Sequence, residues 1–194
     1  MLPEPSLKRV RQRLATSLCC VLLAACASTD VTLTPSPQTP VCDRAATALV
    51  LWAPQWRPDQ KDVAAREEAA ASGLTGFFAG SGCFARSELR RASNLSPATI
   101  TLELASSDGQ FDSVVTIAVL ELGPVVKLLS SAALVEGGTE VVLQLGARSA
   151  RPLGLAREFT LHWRSGGPGV LKGVASLPSD MSAALRAGLQ PATH

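Results

Sequence analysis

Few side chains in this sequence can do covalent or acid–base chemistry, and their spacing limits what that chemistry is. The chain has two histidines, five cysteines and no tyrosine. Nucleophilic catalysis needs a base held beside an activated Ser or Cys. With His194 at the end of the sequence, His162 is the histidine placed to serve. Strand alternation sets it on a polar face with Thr160 and Arg164, and no Gly-x-Ser-x-Gly elbow occurs. His162 therefore reads as a lightly packed surface residue, with a hydrolase pairing it to a Ser or Cys nucleophile as the alternative. Two histidines and two widely separated cysteines, Cys42 and Cys83, match no zinc spacing, so neither a metal nor a cofactor is expected. Gly80-Ser81-Gly82 and the run Gly166 to Gly169 lack the lysine and the strand-to-helix setting of a phosphate loop. Both read as turns. Asp108 and Asp112 flank Gly109, a common loop arrangement that makes a poor acid–base pair.

The cysteine with a distinct chemistry is Cys26. Lys8, Arg9, Arg11 and Arg13 form a positive start, Leu14 to Ala25 form an apolar segment too short to span a bilayer, and Leu23-Ala24-Ala25-Cys26 closes it. This arrangement resembles the lipobox at which bacteria cut a secreted protein and acylate the new terminal cysteine. The resemblance implies that residues 1–25 are a signal peptide and that Cys26 carries acyl chains holding the domain to a membrane. Ala27, rather than Asp, follows the cysteine. That resembles the outer-membrane sorting pattern, so the expected location is the periplasmic side of the outer membrane.

Cleavage changes the charge that matters. The chain has 18 basic and 16 acidic residues, and the leader removes four of the first and Glu4 of the second, leaving 14 against 15. The basic balance thus belongs to the leader. Aromatics make up 4% of the chain and no basic stripe remains, so nucleic acid is not an expected partner. The expected partners are the membrane and an envelope protein. Cys42 and Cys83 are then the pair left in an oxidising compartment, and a disulfide between them is expected.

The elements must position these groups. Ala27 to Pro40 is rich in Ser, Thr and Pro and reads as a disordered tether, so residues 26–41 are assigned to the lipidated cysteine and tether and 42–190 to one globular domain. Thr47 to Ala53 is apolar at both alternating sets, as in a strand covered on both faces. Pro54 and Pro58 end it. A helix is predicted from Asp59, as its cap, to about Phe78, with Val63, Ala70, Leu74, Phe77 and Phe78 along one stripe. Cys83 opens a second parallel strand, which brings it beside Cys42 at the start of the first. Strands are predicted over Thr99 to Leu104, Val114 to Leu122, Val141 to Leu145 and Glu158 to Arg164, with a hairpin turn at Glu136-Gly137-Gly138-Thr139. A turn at Gly166 to Gly169 leads into a strand over Val170 to Ala175. A last helix, capped by Ser179, runs from Asp180 to about Ala187 and stops at Gly188. The fold class is α+β: a mixed, mostly antiparallel sheet with one β-α-β unit, a helix packed on one face and a short C-terminal helix.

The loop from Trp52 to Asp59 is the best candidate surface. It joins the carboxyl end of a buried strand to a helix, where α/β sheets tend to bind ligands, and Trp and Arg are enriched in interface hot spots. Trp52, Trp56, Arg57 and Asp59 are the expected partner-binding residues; the alternative is that the tryptophans only cover the sheet end. The strand Ala48 to Trp52, the segment Gly73-Leu74-Thr75-Gly76-Phe77-Phe78, the Gly82-Cys83-Phe84 entry and the later antiparallel strands together resemble the small α/β domains of Gram-negative envelope lipoproteins. These include the curli-secretion channel protein and auxiliary lipoproteins of ABC-type transporters. Trp52-Ala53-Pro54 departs from their usual Pro-Phe strand ending. The resemblance implies a non-enzymatic binding or assembly role in envelope assembly or transport.

Overall fold

The computed structural model describes residues 27–107, 110–128, 135–154 and 156–190. Cys26, Asp108 and His194 lie outside them. Six strands form one sheet: β1 (Ser28–Thr34), β2 (Asp43–Pro54), β3 (Phe84–Arg91), β4 (Ser113–Leu128), β5 (Val135–Ser149) and β6 (Arg157–Pro168), in the order β1-β6-β5-β4-β2-β3. Among the described residues three helices accompany them: α1 (Val63–Gly80), α2 (Pro97–Ala105) and α3 (Leu177–Leu189). β2 is parallel to both its neighbours, β3 and β4, while every other pairing is antiparallel. The α+β class and the β2-α1-β3 unit are as the sequence predicts.

β2, second from one edge, is paired on both sides and apolar on both faces. Ala48, Val50 and Trp52 pack with Leu74 and Phe77 of α1 and Met181 and Leu185 of α3. Leu49 and Leu51 face the other way, onto Ile100 of α2, Phe111 and Val114. α1 and α3 cover one side of β4, β5 and β6 through Ile117, Leu143 and Leu161. α2 covers the opposite side only near β2. The structure joins Cys42 to Cys83, with Cα atoms 4.6 Å apart, where Asp43 and Phe84 begin the parallel ladder.

Several expectations are corrected. Ser28–Thr34 is not tether but an edge strand paired to β6, with Val31 opposite Trp163 and Leu33 opposite Leu161. Its alternating Val and Leu fit a strand, although only Leu33 is partly covered and Val31 stays exposed, and the prolines come only after it. Thr99 to Leu104 lies in a helix, not a strand. Ser96 accepts from the Thr99 amide at 3.2 Å, Pro97 occupies the first turn, and Ile100 is buried. Ile100 and Leu104, four apart, share the packed side and Leu102 is exposed.

Gly137 and Gly138 do not turn the chain. They lie inside β5 opposite Gly167 and Gly166, where backbones come so close that a Cβ on Gly138 would sit 2.6 Å from the Ser165 carbonyl oxygen. β6 runs on to Pro168, and no strand forms over Val170 to Ala175; a 3-10 turn at Val174–Ser176 leads into α3 instead. α1 starts at Val63, four residues after Asp59, with Asp62 at φ 55° before it. α3 starts after Ser176 rather than Ser179 and continues through Gly188, whose missing side chain admits Leu145 and Leu161.

Candidate functional site

The loop after β2 leaves the sheet under control of its neighbour. Pro54 pairs with Val119, and the Gln55 amide donates to the Val119 carbonyl at 2.9 Å. A bulge between Val119 and Glu121 then turns the Glu121 carboxylate toward the loop. Glu121 Oε1 accepts from Arg66 Nη1 at 2.6 Å and Gln60 Nε2 at 2.9 Å, and its Oε2 lies 3.3 Å from Arg57 Nη2. Arg66 also donates to the Leu122 carbonyl at 2.6 Å and the Lys61 carbonyl at 2.8 Å. Gly123 makes room for that guanidinium, because a Cβ there would collide with it. The result is a loop clamped at its base with its outer charges exposed but paired: Arg57 is 66% and Asp59 80% exposed at the side chain, and Arg57 Nε lies 3.7 Å from Asp59 Oδ1.

The two tryptophans behave differently from those charges. Trp52 is buried on the helix side, with the Arg91 guanidinium 5.7 Å from its ring centroid. Its strand position gives it to the core, so it is not a contact open to a partner, which corrects that expectation. Trp56 is half-buried against the same core and donates its indole N–H to Glu67 Oε1 at 3.3 Å. Glu67 Oε2 in turn meets Arg91 Nη2 at 2.6 Å. Arg57 and Asp59 are therefore the sequence-expected residues that the structure leaves outward, with Trp56 as their partly covered support.

Beside the loop lies a cleft of about 460 Å³ on the sheet face away from α1 and α3. Leu120 and Val142 form its apolar part, and Gln55, Arg57, Glu121, Glu140 and His162 its polar part. His162 Nε2 is 2.6 Å from Glu140 Oε1 across the β5/β6 pair. Gln55 also borders a second hollow of about 370 Å³ that continues along the same face to Thr116, Gln144, Arg148 and Glu158. Among the described residues, those lining the cleft supply charges and amides but no hydroxyl or thiol nucleophile. The structure thus brings His162 near Arg57 but gives it a carboxylate neighbour rather than a nucleophile.

The other sequence candidates have local roles. Asp112 Oδ2 accepts from the Thr47 amide at 2.7 Å and the Thr47 hydroxyl at 2.9 Å, tying the starts of β2 and β4 together. Those backbone and side-chain hydrogen bonds hold its carboxyl below the usual range. Ser81 and Gly82 form the turn into β3, with the Cys83 amide donating to Ser81 Oγ at 3.2 Å. Sequence reasoning missed Glu121, Arg66 and Glu140. The available signal was Glu121 itself, a carboxylate directly after a buried apolar strand run.

No protein-family model matches the sequence, and no curated protein matches it. Distant likenesses to solved structures are found. The PelC dodecamer from Paraburkholderia phytofirmans is 17% identical, covering 86% of this chain and 100% of that one, with a TM-score of 0.44. Lipoprotein GNA1162 from Neisseria meningitidis is 12% identical, covering 75% and 99%, with a TM-score of 0.37. A neuraminyllactose-binding hemagglutinin homolog from Helicobacter pylori is 10% identical, covering 80% and 88%, with a TM-score of 0.34.

Proposed function

We propose that this chain is a lipoprotein acylated at Cys26, anchored to the outer membrane on the periplasmic side, and acting as a non-enzymatic binding or assembly module of the envelope. The anchor rests on the basic start, the short apolar run and Leu23-Ala24-Ala25-Cys26. A disulfide between Cys42 and Cys83 fits an oxidising compartment. The observation that carries the binding role is the clamped loop. Arg57 and Asp59 project from a base fixed by Glu121 and Arg66, so little conformational freedom would be lost when a partner docks on them. The adjoining cleft offers mixed charge around an apolar floor, a composition suited to recognising a polar protein surface.

Two variants separate a binding surface from a core cap. Arg57→Ala should leave stability within about 0.5 kcal/mol of the native chain, as for an exposed site. It should abolish a discrete adduct formed in intact cells by a photo-crosslinker placed at Asp59. Trp56→Ala should instead destabilise the fold by about 2 kcal/mol, since its ring is partly packed. An unchanged adduct in Arg57→Ala would refute the assigned surface. Ester or amide hydrolysis by the pure protein that disappears in His162→Ala would replace this reading with the hydrolase.

A further inference from the structure

We infer that the sheet end carrying the start of β1 is itself a lipid-contacting surface, with Val126, Leu171 and Val174 dipping into the same leaflet that holds the acyl chains of Cys26. The inference rests on the proposed anchor, and it adds how the domain faces the membrane.

The placement follows from the ladder register. Ser28 is opposite Gly166, Gly166 is opposite Gly138, and Gly138 is opposite Val125, so the four lie in one row across β1, β6, β5 and β4. At about 4.8 Å per strand this row is only about 14 Å long. Ala27, the first described residue, directly precedes Ser28, so the described chain enters the domain at that row. A lipid carried on the residue before Ala27 would therefore be tied to this end of the domain rather than to the end that carries the disulfide.

The same end collects exposed apolar side chains. Val126 follows the row on β4 and is 61% exposed; Leu171 and Val174, in the segment after β6, are 82% and 48% exposed. The segment comes back onto the hairpin, because Gly137, opposite Val126, lies directly against the Val170 carbonyl. From Gly166 to Ser176 the one charged residue is Lys172, and the nearest described carboxylate on β5, Glu136, is bonded to Arg164 at 2.9 Å. The opposite end is polar: Asp43, Arg44, Asp112 and Arg151 are all exposed there, around the disulfide. A cluster of exposed aliphatic residues from two elements, at the end where the chain enters the domain, matches a surface that enters the headgroup and acyl boundary. Lys172 is itself mostly covered and paired with Asp180 at 2.8 Å, so the segment presents no free charge to the lipid.

The test uses the mature acylated protein in vesicles of phosphatidylethanolamine and phosphatidylglycerol. Cys26 would be blocked by lipid and Cys42 and Cys83 by their bond, so a single nitroxide can be placed at Leu171→Cys or, at the opposite end, at Leu153→Cys. The label at 171 should show a several-fold higher ratio of oxygen to nickel-chelate accessibility than the label at 153. Adding Val126→Asp and Val174→Asp should return it to the aqueous value. Equal, aqueous values at both positions in vesicle-bound protein would overturn the inference and leave the anchor standing. Shielding of the 171 label from both reagents would also overturn it, by showing that a second copy covers the patch. Failure to find acyl mass on Cys26 and loss of vesicle binding would remove the anchor, and with it this inference.

Discussion

Replacing Gly73 and Gly76 of α1 by alanine should move stability in opposite directions, although the two glycines are less than one turn apart. A Cβ on Gly73 would lie 2.6 Å from Met181 Cβ and 2.7 Å from the Pro178 carbonyl oxygen of α3. Carbon atoms in contact sit about 3.5 to 4.0 Å apart, so α1 and α3 would have to separate by about 1 Å. That separation would also stretch the bond from Ser182 Oγ to the Gly73 carbonyl, now 2.9 Å. Overpacking of this kind costs roughly 1–3 kcal/mol, against a helix-propensity gain of roughly 0.5–1 kcal/mol for Gly to Ala. The expected net effect of Gly73→Ala is a loss of about 1–2 kcal/mol. At Gly76 the nearest atom to an added Cβ is Ser182 Oγ at 4.0 Å, an ordinary contact. Only the propensity gain remains, so Gly76→Ala should stabilise by about 0.5–1 kcal/mol. Urea titrations with unchanged slopes would read both values, and the two melting temperatures should differ by about 5–10 °C. If Gly73→Ala matches or exceeds native stability, the close packing of α1 on α3 is wrong.

Further outcomes concern the disulfide and two carboxylates, Glu121 and Asp112. Removing the 41-residue link with Cys42→Ala and Cys83→Ala should lower unfolding free energy by about 4 kcal/mol in the chain-entropy view, measured by denaturant titration of native and double variant. Glu121→Gln should cost about 2 kcal/mol or more, because Arg66 is only 12% exposed and would keep its charge without a counter-ion; hydrogen exchange should quicken at residues 56–61. Asp112 titrates below its ordinary value of 3.8 in the fold, so its bonds to Thr47 stabilise above that value and are lost as pH falls through the lowered one. The stability difference between native protein and Asp112→Asn should therefore be full at pH 7, shrink in acid and vanish once Asp112 is protonated.

The parts of the fold legible in the sequence are those whose apolar pattern admits one solution. Ala48 to Trp52 can only be a strand buried on both faces, and Ala70, Leu74 and Phe77 can only be a helix stripe, so β2, α1 and β3 follow. Cys42 and Cys83 then meet because parallel strands start together. Where two periods fit the same residues, the reading fails. Ile100, Leu102 and Leu104 alternate like a strand, yet the Ser96-Pro97 start and the 100/104 pair suit a helix equally well, and the cap decides. Val31 and Leu33 are too few to stand out among Ser, Thr and Pro. Gly137 and Gly138 look like a turn because sequence does not show that another backbone lies against them. The loop of the candidate site was legible from its Trp, Arg and Pro content. Its clamp was not, since Glu121 lies 55 residues from Arg66 in sequence and meets it only through the bulge.

The pairing of β1 with β6 sets the freedom of the whole domain. A slack leash from residue 27 to residue 40 would let it swing over a hemisphere roughly 43 Å in radius. Hydrogen-bonded from Ser28 onward, the chain instead crosses the domain as a strand and turns back into β2 at the far end. An acylated Cys26 would then act as a hinge pin rather than a leash. Height and tilt above the bilayer would be nearly fixed, and lateral diffusion and rotation about the membrane normal would be the motions left. The Arg57 and Asp59 surface, at the carboxyl end of β2, would be held at one level on the membrane side of the domain. A protein that meets it would have to present its own contact at that level, which selects components already seated in the same membrane over those diffusing through the compartment.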